Sequence, residues 1–336
     1  MDTLTHIVLG ACIGEAIAGK QLGKKALLLG AIAQNIPDVD FVASFWLPIS
    51  TDLLAHRGFT HSIAFTIIVA PLLAWMSVSL FRKAAMPFSR WVFFWGLQIF
   101  IHIFIDAFNA YGTGWFEPFS HYRVSFNTIF VADPLFFIWP AIAFIALLFL
   151  RRNNTKRMAF TKAALWLSSI YLLSGIIFKL VVNNKVEKQF ATKRIAAGRF
   201  FTTPTPLNDL LWYIVAETDS GYYIGYRSVL DKQDNIDFHF AFKNDTLLKL
   251  AANRNDVNNL VRFSNGYYAA QMWQDTLVFN DLRFGEILGW VDPKPKFIFY
   301  YFLQNPGDNK MIVQRGRFAR WDKEAVMAFI KRIKGI

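Results

Sequence analysis

Apolar residues in the first half of the chain come in runs too long and too continuous to be faces of a globular core. A helix needs about 20 residues to cross roughly 30 Å of hydrocarbon, and residues 63–81, 91–110, 129–150 and 163–182 each supply such a run. Pro71 and Pro140 fall inside two of them, which membrane helices tolerate when neighbours satisfy the freed carbonyl. Two shorter stretches, 4–19 and 25–35, are rich in Gly and Ala and are separated by Lys20, Lys24 and Lys25. The second would reach only about 16 Å at the helical rise, so the pair is predicted to form a hairpin packed into the bundle through its small residues. The Met1–Asp2 opening lacks a basic leader and an A-x-A site, so this start is not read as a cleaved signal.

Beyond Val182 the pattern changes to alternating apolar and polar positions broken by turn signals. The spacing predicts strands at 212–215, 222–229, 238–242, 260–263, 267–273, 276–279 and 296–302, with turns at Asp219-Ser220-Gly221 and Ser264-Asn265-Gly266. Asp322 caps a predicted amphipathic helix over 322–333. The fold class expected is an α-helical polytopic membrane bundle followed by a β-rich soluble C-terminal domain with a terminal helix. The predicted domains are 1–183, membrane-embedded, and 184–336, β-rich.

Composition agrees with a bilayer. The 336 residues are 54% hydrophobic and 17% aromatic with only 18% charged, more apolar surface than one core can hide. One cysteine, Cys12, rules out an internal disulfide and a Cys-based zinc site. The net charge of +12 is placed as membrane topology predicts. Loop 82–90 carries Arg82, Lys83 and Arg90, and loop 151–162 carries Arg151, Arg152, Lys156, Arg157 and Lys162, all without an acid. Both are predicted to be cytoplasmic, with the Lys20–Lys25 turn. Loops 37–62 and 111–128 and the C-terminal domain then lie outside an inner membrane. The C-terminal part has 22 Lys/Arg against 16 Asp/Glu, dispersed without a nucleic-acid motif, so membrane lipids are the expected partners and nucleic acid is not.

Candidate chemistry gathers on that outer side. Five of six histidines lie in the first 121 residues. Asp2 with His6, and His102 with Asp106, are spaced i, i+4, which puts each pair on one helical face. Ionisable groups inside a span are costly and mark function. Pro37-Asp38-Val39-Asp40 ends the second short helix, and His56-Arg57-Gly58-Phe59-Thr60-His61-Ser62 leads into a span. His6, Asp38, Asp40, His56, His61 and Asp106 all fall near one membrane face. Arg57 and Arg123 are the cations expected to meet an anionic group. His121 with Glu117 could complete the site or simply sit in a loop, the loop being the preferred reading; His239 reads as unrelated and Asp133 as a helix start.

These elements, with Thr5-His6 and Tyr111-Gly112-Thr113, resemble the YdjM/YfhP family of membrane-bound, metal-dependent hydrolases, the HRGxTHS element being the most specific part. The resemblance covers about residues 1–140, and the β-rich extension is similar to longer YfhP-type members. It implies a distant relationship to zinc-dependent phospholipase C and P1 nuclease. By that resemblance His6, Asp38, His56, His61, His102 and Asp106 are metal ligands, and Asp40 a ligand or a neighbour of one. The later His and Glu ligands of the soluble phospholipases have no match here.

One or two divalent ions, zinc by preference, would acidify water and clamp a phosphoryl or carbonyl oxygen. Asp40 or Asp2 is then the candidate base and Arg57 the candidate phosphate clamp. The expected substrate is lipid-like, cut at an ester or phosphoester bond on the outer membrane face. The chain has no His-Glu-x-x-His and no Gly-x-Ser-x-Gly, and it lacks the remaining motifs of lipid phosphate phosphatases. Two other readings use the same cluster: a divalent-metal transporter, and a non-catalytic envelope protein whose metal stabilises the bundle.

Overall fold

A computed structural model of the chain describes residues 1–292, 295–304, 309 and 321–336. Its first compact unit comprises Met1–Phe45, Ala55–Gly175 and Pro206–Asn208; the second comprises Trp46–Leu54, Ile176–Thr205 and Asp209–Ile336.

The first unit is helical. Helices α1 (Thr3–Leu22) and α2 (Lys25–Gln34) form the expected hairpin. Glycine permits their contact: a Cβ on Gly14 would lie 2.2 Å from the Ala26 carbonyl oxygen, and one on Gly30 would lie 2.0 Å from that of Gly10. A 3₁₀ segment, Pro37–Phe45, follows at a bend of 55°. After α3 (Ile49–Ala55), which belongs to the second unit up to Leu54, come a short 3₁₀ turn Phe59–His61, α4 (Ile63–Leu80), α5 (Phe88–Asp106) and α6 (Pro134–Phe149). Pro71 and Pro140 sit inside α4 and α6 as helix residues. Helix α6 has only 16 residues, because Asp133 accepts from the Leu135 and Phe136 amides and so fixes its start.

Helix α7 (Lys156–Lys193) runs for 38 residues, passing through Asn183, where the change of composition predicts a domain start. Among the described residues α4, α5 and α7 are long and apolar enough to cross a membrane, with a fourth crossing if α2 and Pro37–Phe45 form one bent span.

The basic loops meet at one end of the first unit. Arg90 donates to the Ile17 carbonyl at 2.6 Å, Arg152 donates to those of Lys20 and Gln21, and the Arg157 guanidinium forks onto buried Glu15 at 2.7 Å through two nitrogens. The Lys20 and Gln21 carbonyls, among the last four of α1 and without a partner within the helix, are thus satisfied by Arg152, a cation that the sequence assigns to the cytoplasmic side. At its other end α1 presents His6.

The second unit contains two antiparallel sheets. One is a four-stranded meander of β1 (Arg199–Pro204), β2 (Leu211–Glu217), β3 (Gly221–Ser228) and β4 (Phe238–Phe242); the other joins β5 (Tyr268–Trp273), β6 (Thr276–Glu286) and β7 (Phe297–Phe302). The C-terminal turns of α7 pack Val182, Val186 and Phe190 onto Trp212 and Ile214 of the meander. The predicted strand at 260–263 is corrected: these residues end helix α8 (Arg254–Phe263), in which Val257, Leu260 and Phe263 are buried at helical spacing. A four-residue apolar run fits either period, and here it closes a helix whose start is capped by the Asn253 side chain at the Asn255 amide. Strand β1 lies where no strand was expected. Helix α9 (Lys323–Ile333) begins on the Asp322 cap as predicted.

Candidate metal centre

Three breaks in the helices bring the polar side chains together. At the first, Asp2 caps α1 by accepting from the Thr5 amide at 3.0 Å, which sets His6 one turn in. At the second, Pro37 ends α2 and opens the 3₁₀ segment carrying Asp38 and Asp40. At the third, Arg57 takes a left-handed backbone with φ of 60°, a sharp turn that an Arg side chain disfavours. The turn is held by contacts: the Arg57 amide donates to Asp40 Oδ2 at 2.8 Å, and the Arg57 carbonyl accepts from the Gly114 amide at 2.8 Å. Ser62 then caps α4 through the Phe65 amide. The last turns of α5 present His102 and Asp106 on one face.

One ligand atom each from Asp38, His61, His102 and Asp106 lies within 4.8 Å of the others. The His61 and His102 Nε2 atoms face each other at 3.1 Å. Asp38 Oδ1 is 3.4 Å from the former and 3.5 Å from the latter, and Asp106 Oδ2 is 3.6 and 3.7 Å from them. Both imidazoles and Asp106 are fully buried. Burial works against a charge on His61, but hydrogen bonds with Asp106, Asp38 and Asp40 outweigh it and push the imidazole up to about 9.

Surrounding groups fix the orientation. Asp40 Oδ2 lies 3.3 Å from His61 Nδ1 and accepts from the Thr60 hydroxyl at 2.9 Å, leaving His61 Nε2 for the centre. His6 stacks on His102 with ring centroids 3.8 Å apart, its Nδ1 at 3.2 Å from Gln34 Oε1 and its Nε2 at 3.2 Å from Asp106 Oδ1. The Met1 amino group also meets Asp106. The guanidinium of Arg57 is turned inward, with Nε 3.1 Å from Asp106 Oδ2 and Nη1 donating to Asn109 at 2.9 Å. Arg123 supports the same turn by donating to the His56 and Gly112 carbonyls.

Of the residues singled out from the sequence, four therefore converge at ligand distance. His6 reaches them through Asp106, and Asp40 through His61. His56 turns its Nδ1 to Asp40 Oδ1 at 3.0 Å, with 41% of its side chain exposed. His121 pairs with Glu117 on the surface, and His239 pairs with Glu286 in the second unit. Gln34 and Asn109 were not singled out; a buried glutamine in an apolar helix one turn before Pro37 is the signal that marks the first.

The donor set is two imidazoles and two carboxylates, with no thiolate. Three buried or half-buried carboxylates crowd this centre, Asp106 being met by the Arg57 guanidinium and the Met1 amino group; oriented imidazoles with oxygen ligands suit zinc or a similar divalent ion. Beside the centre lies a cavity of about 870 Å³, lined by Asp38, His56 and Arg57 together with the apolar Ile32, Ile36 and Phe41.

Comparison with known proteins points to one family. The family model described as YdjM inner membrane protein matches residues 1–182. The chain is 28% identical over 236 residues to the uncharacterized protein YfhP of Bacillus subtilis (strain 168), covering 67% of this chain and 68% of that one. It is 30% identical over 123 residues to the inner membrane protein YbcI of Escherichia coli (strain K12), covering 36% of this chain and 69% of that one. No solved structure matches.

Proposed function

We propose a hydrolytic role for this centre from the premise that the chain belongs to the YdjM inner membrane protein family. It is a membrane protein, and the reading is a membrane-bound, metal-dependent hydrolase of ester or phosphoester bonds in lipid-like substrates. One observation carries it: a buried His/Asp cluster of ligand geometry lies beside a cavity lined by both polar and apolar side chains.

Asp38, His61, His102 and Asp106 would hold the ion, with His6 completing the set through a small rotation or steadying Asp106. A divalent ion there, zinc by preference, supplies Lewis-acid polarisation of the scissile group and acidifies water. The protein's own residues account for the rest. Asp40 accepts from the Arg57 amide and the Thr60 hydroxyl, so it works as an anchor that orients His61 and His56. His56, exposed at the cavity and braced on Asp40 through Nδ1, has Nε2 to carry a proton to or from substrate. Arg57 lines the cavity while paired with Asp106, and its fixed charge favours an anionic headgroup. Ile32, Ile36 and Phe41 offer an acyl chain a place out of water. With the basic loops in the cytoplasm, the site and the β-rich domain lie on the extracytoplasmic face of the inner membrane.

The test is elemental mass spectrometry of the detergent-purified protein beside a His102→Ala/Asp106→Ala variant confirmed to be folded, followed by phospholipid and phosphodiester hydrolysis assays. Near-stoichiometric zinc or manganese in the parent and its loss in the variant are expected. Absence of metal after reconstitution overturns the reading. Metal that tracks with thermal stability, but with no hydrolysis of any tested ester, favours a structural ion instead.

A further inference from the structure

A second cavity, of about 710 Å³, is lined among the described residues by the second unit alone, and its size is within the roughly 300–1,000 Å³ of small-molecule sites. Tyr226 of β3 and His239 of β4 both line it, on strands that pair antiparallel with Ile224 opposite His239. Their common partner comes from the other sheet. The register of β6 shifts between Asp281 and Glu286, with Gly285 at φ of 86°, an irregularity of the kind that re-aims a side chain at a strand end. Glu286, just beyond it, receives both: Oε1 lies 2.8 Å from His239 Nε2, and Oε2 accepts from the Tyr226 hydroxyl at 3.1 Å.

Glu286 is 3% exposed, and a carboxylate so placed is costly unless it is hydrogen-bonded. The chain after β6 passes directly over it. A Cβ on Gly289 would lie 2.2 Å from the Tyr226 hydroxyl oxygen and 2.5 Å from Glu286 Oε2, so a side chain there would displace the pair. His239 keeps 36% of its side chain exposed, and with Nε2 engaged its Nδ1 is the ring nitrogen left for a ligand. Around it the charges are largely settled within the protein. Arg332 donates to the two Asp231 carboxylate oxygens at 2.5 and 2.9 Å and to the Tyr226 carbonyl at 2.8 Å, while Asn235 donates to Asp237 at 2.8 Å. The lining carries both signs, so an ion of either sign meets little net field. Trp290 adds an aromatic surface, set perpendicular to the Tyr226 ring at 6.3 Å and packed 4.5 Å from the Phe329 ring.

We propose that this cavity is a saccharide-binding site of the β-rich domain, with His239 hydrogen-bonding a sugar hydroxyl and with Glu286 and Tyr226 as positioning residues that fix the imidazole. The lining selects that class of ligand. Gln233, Asn235, Asp237 and His239 bring planar amide, carboxylate and imidazole groups with fixed donor and acceptor directions, which suit adjacent hydroxyls that each donate and accept. The C–H face of a pyranose ring needs an apolar surface beside those groups, and the indole of Trp290 supplies one. Such a ligand carries no charge, as a lining of mixed sign requires. The inference stands on residues of the second unit alone and is independent of the hydrolase reading.

The experiment uses the full-length protein in an amine-oxide detergent, since a maltoside carries sugar of its own. Saturation-transfer difference NMR titrates glucose, N-acetylglucosamine and N-acetylchitotriose, with methyl phosphate and choline as the anionic and cationic probes. At least one saccharide is expected to bind, and His239→Ala and Trp290→Leu are each expected to weaken it by about tenfold, the worth of one hydrogen bond or one stacked face. Glu286→Ala should weaken it as much as His239→Ala, whereas Glu286→Gln, which keeps an acceptor for the imidazole, should stay close to the parent. If Glu286→Ala or Trp290→Leu does not fold, His239→Ala decides, because its side chain is partly exposed. Failure of every saccharide to bind the parent, unchanged binding in His239→Ala, or a preference for methyl phosphate or choline over the sugars overturns the site. Equal loss in Glu286→Gln and Glu286→Ala overturns the positioning role.

Discussion

Replacing Gly14 by alanine sets two effects of opposite sign against each other. Alanine gains about 1 kcal/mol over glycine inside a helix. Against that, the new Cβ would sit 2.2 Å from the Ala26 carbonyl oxygen and 3.0 Å from the Gly30 Cα. A carbon and an oxygen rest about 3.3 Å apart at closest, so α1 and α2 must open by about 1 Å. The obstructing atoms are backbone and cannot rotate away, which puts the cost at the upper end of the roughly 1–3 kcal/mol of overpacking. Helix association within a bilayer depends on such close packing, so the clash wins by about 1–2 kcal/mol, or a fall in Tm of roughly 2–8 °C for a domain of this size. Gly96→Ala is the control, because its Cβ would make an ordinary 3.5 Å contact with the Ala70 Cβ and keeps the propensity gain. Thermal melts in one detergent, followed by tryptophan fluorescence, compare them. Since α1 carries His6 and α2 leads into Asp38, Gly14→Ala should also weaken metal binding. A Gly14→Ala protein that melts at or above the parent, or a Gly96→Ala protein that falls equally far, refutes the reasoning.

Three further outcomes are expected. Glu15→Gln leaves the buried Arg157 guanidinium, 4% exposed, without its carboxylate and should cost about 3–5 kcal/mol, whereas Glu15→Gln/Arg157→Gln should cost less than the two single changes summed; additive melts in a double-mutant cycle contradict this. In the second unit, burial pushes Glu286 up, and His239, though half-buried, is raised by that carboxylate. The folded form therefore holds protons more tightly than the unfolded chain: the Glu286 contribution declines as pH rises above the usual carboxylate value of 4.5, and the His239 contribution, fully present below the usual histidine value of 6.5, declines as pH rises through its raised pKa. Tm against pH should fall over that window in the parent and flatten in His239→Gln, and parallel curves would exclude the pair as the cause. Finally, a cysteine placed at Asn153 in a Cys12→Ser background should resist a membrane-impermeant maleimide added to intact cells with a permeabilised outer envelope, while one at Gln233 should react; the reverse labelling would invert the orientation.

Local patterns were enough to read much of this protein. Apolar run length and caps marked the helices, glycines at 10, 14 and 30 marked the close hairpin, and basic residues without acids marked the loops that gather around the end of α1. Period-2 alternation located most strands, and the motifs at 37–40, 56–62 and 102–106 contained all four side chains that converge. Each of these rests on interactions between residues close in sequence, or on a solvent preference that one side chain expresses alone. Other features depended on partners distant along the chain. Helix α7 continues through polar residues at 183–193 because Val186 and Phe190 find Trp212 and Ile214 to pack on. Residues 260–263 become helical because Phe263 is received by Phe284 and Phe299. His56 joins Asp40 and Arg57 joins Asp106 because a left-handed turn at Arg57 aims both inward. The folding of Trp46–Leu54 with the C-terminal sheet depends on a hydrogen bond between residues 206 positions apart, a distance over which no local propensity carries information; only the assembled tertiary structure brings Ser50 to Asp256.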